Sequence, residues 1–466
     1  MKKAIALLMT FVLLFSLFAC SDEKDISNKG FESEKAIQCN DESIMQQIAE
    51  IIKETIQNTE LCSIPTVHPE TGTKNYDAFI EYLSTRISCT SAQFAFELLK
   101  EAIKYEPNAV ISPVSIITAL SMVANGANGK TLTEMENTLG STLNNLKEDF
   151  GSYARKVNTD TADGIKTANS VWFNNRKNLL AVNKSFIGDS RQTFGAEIFK
   201  EEFNNITLKK INDWVSKNTD GTINNMLPEI PDRAVAYIIN TVLFDAEWKV
   251  PYTEPDIREN QIFVTEDGRK QSVTMLNSTE SLIRPKYFRL GKTTVACREY
   301  TNGYSFAAML PDEGVTIEQA LNSFNGATFI SRVTDTNTDE NGNVLDGIYP
   351  VILSLPKFEF QCKFKLAEIL KNMGMEAAFD SQKADFSGMA ISSQGNIYIN
   401  EVFHNTYISL GEKGTKAGAA TATSIFGAGA LPKMNELIFN RPFIYVIYSP
   451  DGMPLFAGVV RDFDAA

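Results

Sequence analysis

The chain has 466 residues, 43% hydrophobic and 22% charged, which is enough for a large core in one or two domains. Its formal net charge of −13 argues against nucleic-acid binding, because phosphate recognition needs clustered Lys and Arg. Only the N-terminus is apolar enough to be a membrane candidate.

The first twenty residues have the pattern of an export signal. Lys2 and Lys3 precede an apolar run, Ala4 to Phe18, that is short for a membrane span. The following Leu17-Phe18-Ala19-Cys20 resembles the lipobox of bacterial lipoproteins, in which Cys20 receives the lipid and becomes the mature N-terminus. Attached acyl chains would anchor the protein to a membrane. We therefore expect export and lipid anchoring at a bacterial cell envelope, at the outer membrane or cell surface; an ordinary cleaved signal is the alternative.

Residues 21–91 are polar and uneven, and we interpret them as a tether with one short helical element, Ile44 to Ile56. Besides Cys20 the chain has five cysteines, an odd number that leaves at least one thiol unpaired. A disulfide within the first three is one possibility, whereas the last two lie in strand-like runs and are expected to be buried thiols. In chain order the five are Cys39, Cys62, Cys89, Cys297 and Cys362.

From Ala92 onward helical patterns come first and strand patterns follow. Helices are expected from Phe94, after Pro113, at Lys209–Lys217 and at Leu366–Met373. This mixture has no regular βαβ alternation, so it predicts an α+β fold rather than a doubly wound one. The predicted strands are Ser170–Phe173, Ala234–Phe244, Thr294–Tyr300, Tyr304–Leu310, Val351–Leu355, Ile397–Leu410, Phe443–Tyr448 and Leu455–Val460.

Motifs for catalysis or cofactor binding are incomplete or missing from the sequence. Two histidines, His68 and His404, are too few for a histidine-rich metal site, and no G-x-S-x-G motif occurs. Gly129-Lys130-Thr131 lacks the first glycine of a phosphate loop, and Asn337 to Gly342 copies only the first half of a calcium loop. We therefore expect neither a metal nor a cofactor, and no enzyme activity.

A stretch of small residues, Gly411 to Pro432, follows the last long strand pattern before the C-terminal strands. Read at a period of two, one face carries Thr415, Ala417 and Ala419 and continues small or apolar. The other face carries the charge of Lys416. The segment therefore has the composition of an exposed loop that can also become a buried strand.

Several motifs, in order, resemble the serpin family of serine protease inhibitors. The resemblance covers roughly residues 92–464 without a large gap. It rests on the segments Asn108 to Ile116, Ala119 to Met122, Gly126-Ala127, Ile211 to Val215, Thr219 to Gly221, Asn240 to Trp248, Leu355 to Phe358, Gly374-Met375, Ala384 to Gly388, His404, Gly414-Thr415, Arg441 to Phe443 and Leu455 to Gly458.

The resemblance implies a serpin domain over 92–466, with three β-sheets, eight to nine helices and an exposed C-terminal reactive loop. It also implies irreversible suicide-substrate inhibition of a serine protease, in which the cut loop enters the central sheet as an added strand; serpin loop insertion is an established case of strand addition. The alternative is a non-inhibitory serpin that acts as a surface binding protein. The expected partners are a serine protease of elastase-like or subtilisin-like specificity and a membrane, through the lipid anchor; nucleic acid is not expected.

The same resemblance assigns the hinge, the part of the loop that enters the sheet first. Its small residues suit a narrow entering strand, whereas Lys413, Lys416 and Gly418 depart from the usual inhibitor pattern. Lys416 falls on the outward face, where water can keep its charge hydrated. The assigned hinge residues are Glu412, Gly414, Thr415, Lys416, Ala417, Gly418, Ala419, Ala420 and Thr421.

With the spacing from the hinge glycine that is typical of the family's inhibitors, the resemblance places the reactive bond between Ala428 and Gly429, within a residue. Ala428 suits the shallow pocket of elastase-like proteases. Ile425, Phe426 and Gly427 precede it, and a register shift toward Phe426 favours chymotrypsin-like or subtilisin-like proteases.

The remaining implied positions are structural. Four of them match the family's shutter, a polar cluster beneath the central sheet where the strands must part, and Trp248 matches the aromatic residue at the point of loop entry. The shutter residues are Ser112, Ser115, Asn240 and His404.

Overall fold

The computed structural model describes residues 74–159, 164–176, 179–278, 285–334, 351–415 and 435–464. The chain divides into two compact units at Ala49/Glu50, and all described residues belong to the second. Nine α-helices lie in the described ranges: α1 (Lys74–Ala102), α2 (Pro113–Ala124), α3 (Gly129–Leu139), α4 (Leu143–Thr159), α5 (Lys184–Gln192), α6 (Asn205–Asn218), α7 (Ile317–Ser323), α8 (Gly326–Thr334) and α9 (Ala367–Asn372).

The strands in the described ranges vary from two-residue pairings to ten-residue strands. In chain order they are β1 (Val110–Ile111), β2 (Ile165–Asn174), β3 (Leu180–Val182), β4 (Glu197–Glu201), β5 (Ala236–Phe244), β6 (Ala246–Glu247), β7 (Ile257–Val264), β8 (Lys270–Asn277), β9 (Lys286–Leu290), β10 (Thr293–Glu299), β11 (Ser305–Pro311), β12 (Val351–Pro356), β13 (Phe358–Lys365), β14 (Ala390–Ser392), β15 (Phe403–Leu410), β16 (Gly414–Thr415), β17 (Asn435–Ile438), β18 (Phe443–Tyr448) and β19 (Pro454–Val460).

Two of the larger sheets have continuous ladders. A six-stranded antiparallel sheet has the order β1-β19-β18-β11-β10-β9, and every residue of β11, β18 and β19 is buried, as their continuous apolar sequences predict. A four-stranded sheet has the order β17-β12-β8-β7, with β17 parallel to β12. A small two-stranded ladder joins β14 to β3.

The remaining sheet is split along its length into two groups of strands. One side has the order β4-β2-β5 and the other has the order β13-β15-β16-β6. Because β6 follows β5 after the single residue Asp245, the two sides are continuous only at that end. Within the described residues no ladder joins β5 directly to β15, so the position between these two strands is open except where β16 occupies its end.

Helix α1 begins well before the apolar pattern that starts at Phe94. It crosses position 91/92, where the sequence pattern places the start of the domain, and Ile87 and Ser88 are buried. The buried Arg86 guanidinium donates to the Asp149 carboxylate at 2.6 and 3.2 Å, which ties α1 to α4. Because this pair is distant in sequence, it does not appear in the hydrophobic periodicity. That periodicity therefore predicted only the apolar part of the helix, from Phe94 onward.

The predicted α+β class and the serpin-like arrangement of sheets and helices are confirmed. The predicted strand Ile397–Leu410 is too long, because the strand begins at Phe403. Strands β7 and β8 were missed because β7 presents mostly exposed, polar side chains. Within the described residues no helix is long and apolar enough to cross a membrane.

The cysteine predictions are partly tested. Cys297 and Cys362 are buried thiols, as predicted, and burial raises the pKa of each to about 11. Cys89 is also buried in α1. Cys39 and Cys62 lie outside the described residues, so a disulfide with either stays a prediction.

Packing at the centre of the six-stranded sheet gives a test of the fold. Gly458 in β19 lies opposite Tyr445 in β18, and a methyl group added at Gly458 would overlap the buried tyrosine ring. We expect Gly458→Ala to lower the free energy of unfolding by about 2 kcal/mol through overpacking. Equilibrium denaturant unfolding of the purified protein measures the change.

The matched control is the same substitution where space is available. Gly188 lies within α5, and nothing lies within 4 Å of a methyl group added there. Gly188→Ala is expected to stabilise the protein by about 0.5 to 1 kcal/mol, since alanine has the higher helix propensity. Equal effects of the two substitutions would contradict the packing described for Gly458.

Candidate functional site

The start of the predicted hinge already forms a short strand of the parted sheet. Residues Gly414 and Thr415 make β16, which is antiparallel to β15 on one side and to β6 on the other. Thr415 lies opposite Leu410 and Ala246, and Gly414 lies opposite Glu247. A strand that continues beyond Thr415 would therefore meet β15 and β5.

Gly414 is required there by a close approach of two backbones. A Cβ atom at this position would overlap the carbonyl oxygen of Ala246 and lie 2.8 Å from the Cα of Glu247, and φ is +156°. No larger residue fits without moving β6 away. The glycine thus lets β16 pair with β6.

Thr415 is 2% exposed and its hydroxyl forms a 2.6 Å hydrogen bond with the Tyr300 hydroxyl. Burial raises the pKa of Tyr300 well above its ordinary value, so the phenol stays neutral and can donate. The Tyr300 ring stacks on Trp248 at 4.3 Å between ring centroids, with planes 8° apart. The first inward side chain of the hinge is therefore held by a buried aromatic pair.

The residues before β16 are held by backbone contacts to the segment that follows β6. Trp248 is 1% exposed; its backbone N–H donates to the Lys413 carbonyl at 2.8 Å, and its indole Nε1–H donates to the Gly411 carbonyl at 2.9 Å. The backbone N–H of Tyr252 donates to the Glu412 carbonyl at 2.9 Å. These contacts hold residues 411–413, which lead into β16, against the segment after β6.

Glu412 adds a charged contact at the surface. Its carboxylate lies 2.7 Å from the Lys357 ammonium, and both side chains are about one-third exposed. The hydrogen bond from Lys357 holds the pKa of Glu412 below its ordinary value. Exposed pairs of this kind contribute little to stability, about 1 kcal/mol or less. The pair orients the start of the hinge more than it stabilises the fold.

The four predicted shutter residues come together around one small cavity between α2, β5 and β15. Ser112, Ser115, Asn240 and His404 all line it. Ser112 precedes Pro113, the first residue of α2, and its backbone N–H donates to His404 Nε2 at 3.0 Å. This cavity lies about 20 Å along β15 from the hinge strand, given the rise of a β-strand per residue.

Polar groups in this cavity are incompletely paired. Asn240 Nδ2 donates to Asn169 Oδ1 at 2.7 Å. The Ser112 hydroxyl, the Asn240 Oδ1 and the Thr241 hydroxyl are buried without a hydrogen-bond partner in the part of the chain that is described. Buried polar groups without partners each cost about 1–3 kcal/mol. Hydrogen-bonding groups therefore lie unpaired, among the described residues, beside the opening between β5 and β15.

Most of the predicted loop lies outside the described residues. This holds for the hinge residues Lys416, Ala417, Gly418, Ala419, Ala420 and Thr421, for Ile425, Phe426, Gly427, Ala428 and Gly429, and for the predicted lipid-bearing Cys20. Their assignments stay predictions. In the described ranges, no three His, Cys, Asp or Glu side chains are grouped as a metal site.

Three contacts of the hinge were missed by sequence reasoning, namely Tyr300, Tyr252 and Lys357. Tyr300 is the last residue of a predicted strand, directly before the turn Thr301-Asn302-Gly303. Its place at the strand end was the only indication in the sequence that its side chain could contact a second sheet. Its partner Thr415 is distant in sequence, so no local pattern links them.

The buried histidine gives a pH test of the shutter. Burial lowers the pKa of His404 to about 3, and its Nε2 must stay unprotonated to accept from Ser112. In the unfolded chain the imidazole titrates near its ordinary pKa of about 6.5, so below that pH only the unfolded state takes up the proton. The stabilisation is therefore present above about pH 6.5 and is lost as pH falls, by about 2 kcal/mol at pH 5.

His404→Gln removes this proton uptake and is the variant to compare. Its free energy of unfolding is expected to fall less steeply than that of the parent between pH 7.5 and pH 5, since other titrating groups are common to both proteins. Parallel curves from denaturant unfolding across this range would contradict the assignment.

Comparisons with known proteins agree with this geometry. The sequence model for "Serpin (serine protease inhibitor)" matches residues 90–463. The alpha-1-antichymotrypsin of Pongo abelii is 29% identical over 385 residues, which cover 78% of this chain and 85% of the relative.

Solved structures agree as well. The thermophilic serpin tengpin in its native state superposes with a TM-score of 0.72 at 33% identity, over 86% of this chain and 97% of tengpin. Tengpin in its latent state gives a TM-score of 0.66 at 32% identity, over 82% and 98%. The match spans most of both chains, and the chain belongs to the serpin family of serine protease inhibitors.

Proposed function

We propose that this protein is an irreversible suicide-substrate inhibitor of serine proteases, which traps the acyl-enzyme when the cut reactive loop enters the sheet between β5 and β15. The observation that carries the proposal is the parted sheet with Gly414 and Thr415 already paired at one end of the opening. The protein itself supplies no catalytic group, because the protease provides the nucleophile.

The register at β16 defines how an entering strand would pair. β16 is antiparallel to both flanking strands, so residues after Thr415 would form antiparallel ladders with β15 and β5. Each new backbone hydrogen bond contributes about 0.5–1.5 kcal/mol net. Along the eight residues of β15, hydrogen bonds on both sides of the entering strand favour insertion and oppose the entropy cost of ordering the loop.

The chain after the loop is also paired in a sheet, which opposes insertion of the uncut loop. After residue 434 the chain enters β17, which pairs with β12 from Asn435 to Ile438. The uncut loop is thus attached at β16 and at β17, and full insertion would first have to remove β17 from its sheet. A cut between Ala428 and Gly429 frees residues 416–428 to enter the opening.

The sequence of the freed segment suits insertion. Its inward positions, read on from the buried Thr415, are Ala417, Ala419 and Thr421, all small and uncharged. Lys416 falls on the opposite, solvent-facing side. Ala428 supports an elastase-like target and Phe426 a subtilisin-like one. Cys20 supports lipid anchoring at a bacterial envelope, with the inhibitor displayed at the outer membrane or cell surface.

Mixing the mature protein with an elastase-like and a subtilisin-like protease tests the proposal. An inhibitor is expected to give a covalent complex stable to denaturant and a released C-terminal peptide that begins at Gly429 or one residue away. Cleavage without complex, or no reaction with either protease, would contradict inhibition of these classes and favour a non-inhibitory surface binding protein.

Thr415→Arg tests the entry of the hinge directly. Thr415 is 2% exposed, and burial of an unpaired charge costs several kcal/mol, so the hinge of this variant should stay outside the sheet. We expect the variant to fold, to be cut by the protease, and to form at least about tenfold less covalent complex than the parent, as a cost of 1.4 kcal/mol already implies.

Thr415→Val is the matched control, because it keeps the size of the side chain and removes only the hydroxyl bound to Tyr300. It is expected to trap protease nearly as well as the parent. Wild-type complex formation by Thr415→Arg, with the protein correctly folded, would contradict the assignment of Thr415 to the hinge.

A further inference from the structure

Arg298 is a buried cation beside the hinge, and the steps described above do not use it. It lies in β10 opposite Phe306 and is 2% exposed. Among the described residues no carboxylate forms an ion pair with it, and its guanidinium instead contacts Trp248, Val250 and Tyr252. The neighbouring Glu299 pairs instead with Lys249. A buried arginine without a carboxylate is costly for stability, so another contribution must account for its presence.

The guanidinium contacts one short segment at three alternate residues. Its Cζ lies 4.5 Å from the ring centroid of Trp248 and 4.1 Å from that of Tyr252, so it sits over both aromatic faces. Between them, its Nη2 donates a hydrogen bond to the Val250 carbonyl. Arg298 thus holds the segment 248–252 at its ends and at its centre.

This segment is the one that holds residues 411–413, directly before the hinge strand β16. Trp248 donates to the carbonyls of Gly411 and Lys413, and Tyr252 donates to that of Glu412. Trp248 also stacks on Tyr300, which binds the Thr415 hydroxyl. Each route from Arg298 to the hinge therefore passes through an aromatic residue that Arg298 contacts.

We propose that Arg298 is a positioning residue for loop insertion, which sets the Trp248 and Tyr252 rings so that the hinge enters in the correct register. The inference rests on the proposed function, since it concerns how the same hinge is used. Loss of the arginine removes one contact from each ring and loosens their positions, so insertion slows while the protease continues to hydrolyse the loop. More of the inhibitor is then consumed as substrate.

A stability role and a positioning role predict different results for Arg298→Met. Replacement of a buried charge by an apolar side chain of similar volume is often neutral or stabilising. If Arg298 positions the hinge, Arg298→Met keeps or raises the thermal unfolding midpoint but gives more cleaved, uncomplexed inhibitor. The ratio of cleaved to complexed inhibitor is expected to rise at least about threefold, as loss of one cation–π contact implies.

Arg298→Lys and Arg289→Met complete the comparison. Lysine keeps the charge over the rings but loses the planar guanidinium, so the ratio is expected to fall between the parent and Arg298→Met. Arg289 is an exposed residue of β9 paired with Asp312, and Arg289→Met is expected to behave as the parent does. The ratio is read from gel bands after reaction with a protease that the parent traps.

A second readout does not depend on trapping. A nonspecific protease cuts the loop of each variant, and the rate at which the nicked protein gains thermal stability reports insertion. Arg298→Met is expected to gain it at least about threefold more slowly than the parent. If Arg298→Met and the parent have equal ratios of cleaved to complexed inhibitor and equal insertion rates, the inference is overturned while the proposed function stands. A parent that traps no protease would overturn the proposed function, and the insertion rates would still decide the role of Arg298.

Discussion

The hydrogen bond between the hydroxyls of Thr415 and Tyr300 joins the reactive loop to the sheet that it would enter. It places the first inward side chain of the hinge in a buried position between β15 and β6. Because this position is closed to water, only a small side chain that is uncharged or fully paired fits there. The register of a strand that continues β16 follows from this pairing.

The opening beyond β16 is the feature on which the proposed mechanism depends. Strands β5 and β15 flank it, and the Ser112 hydroxyl and Asn240 Oδ1 line or border the adjacent cavity without a hydrogen-bond partner among the described residues. An added strand would supply backbone hydrogen-bond partners along both sides of the opening. In the proposed mechanism, the pairing of β17 with β12 keeps the intact loop from inserting, and cleavage removes this restraint.

Sequence patterns predicted the strands whose residues are all buried. β11, β18 and β19 are buried throughout, and their apolar runs were sufficient to predict them. β7 was missed because its side chains are mostly exposed, and its position depends on pairing with β8. The family resemblance grouped Ser112, Asn240 and His404, which are far apart in sequence. Neither approach indicated Arg298, because one charged residue in an apolar strand does not show which rings it contacts.

The central claim is that the cut loop becomes a strand between β5 and β15, and amide hydrogen exchange before and after loop cleavage tests it most directly. We expect the backbone N–H groups of Phe403–Leu410 and Ala236–Phe244 that face the opening to become strongly protected from exchange once the loop is cut. Exchange in β10 and β11 should not change. Unchanged exchange in β5 and β15 after complete cleavage would contradict the account.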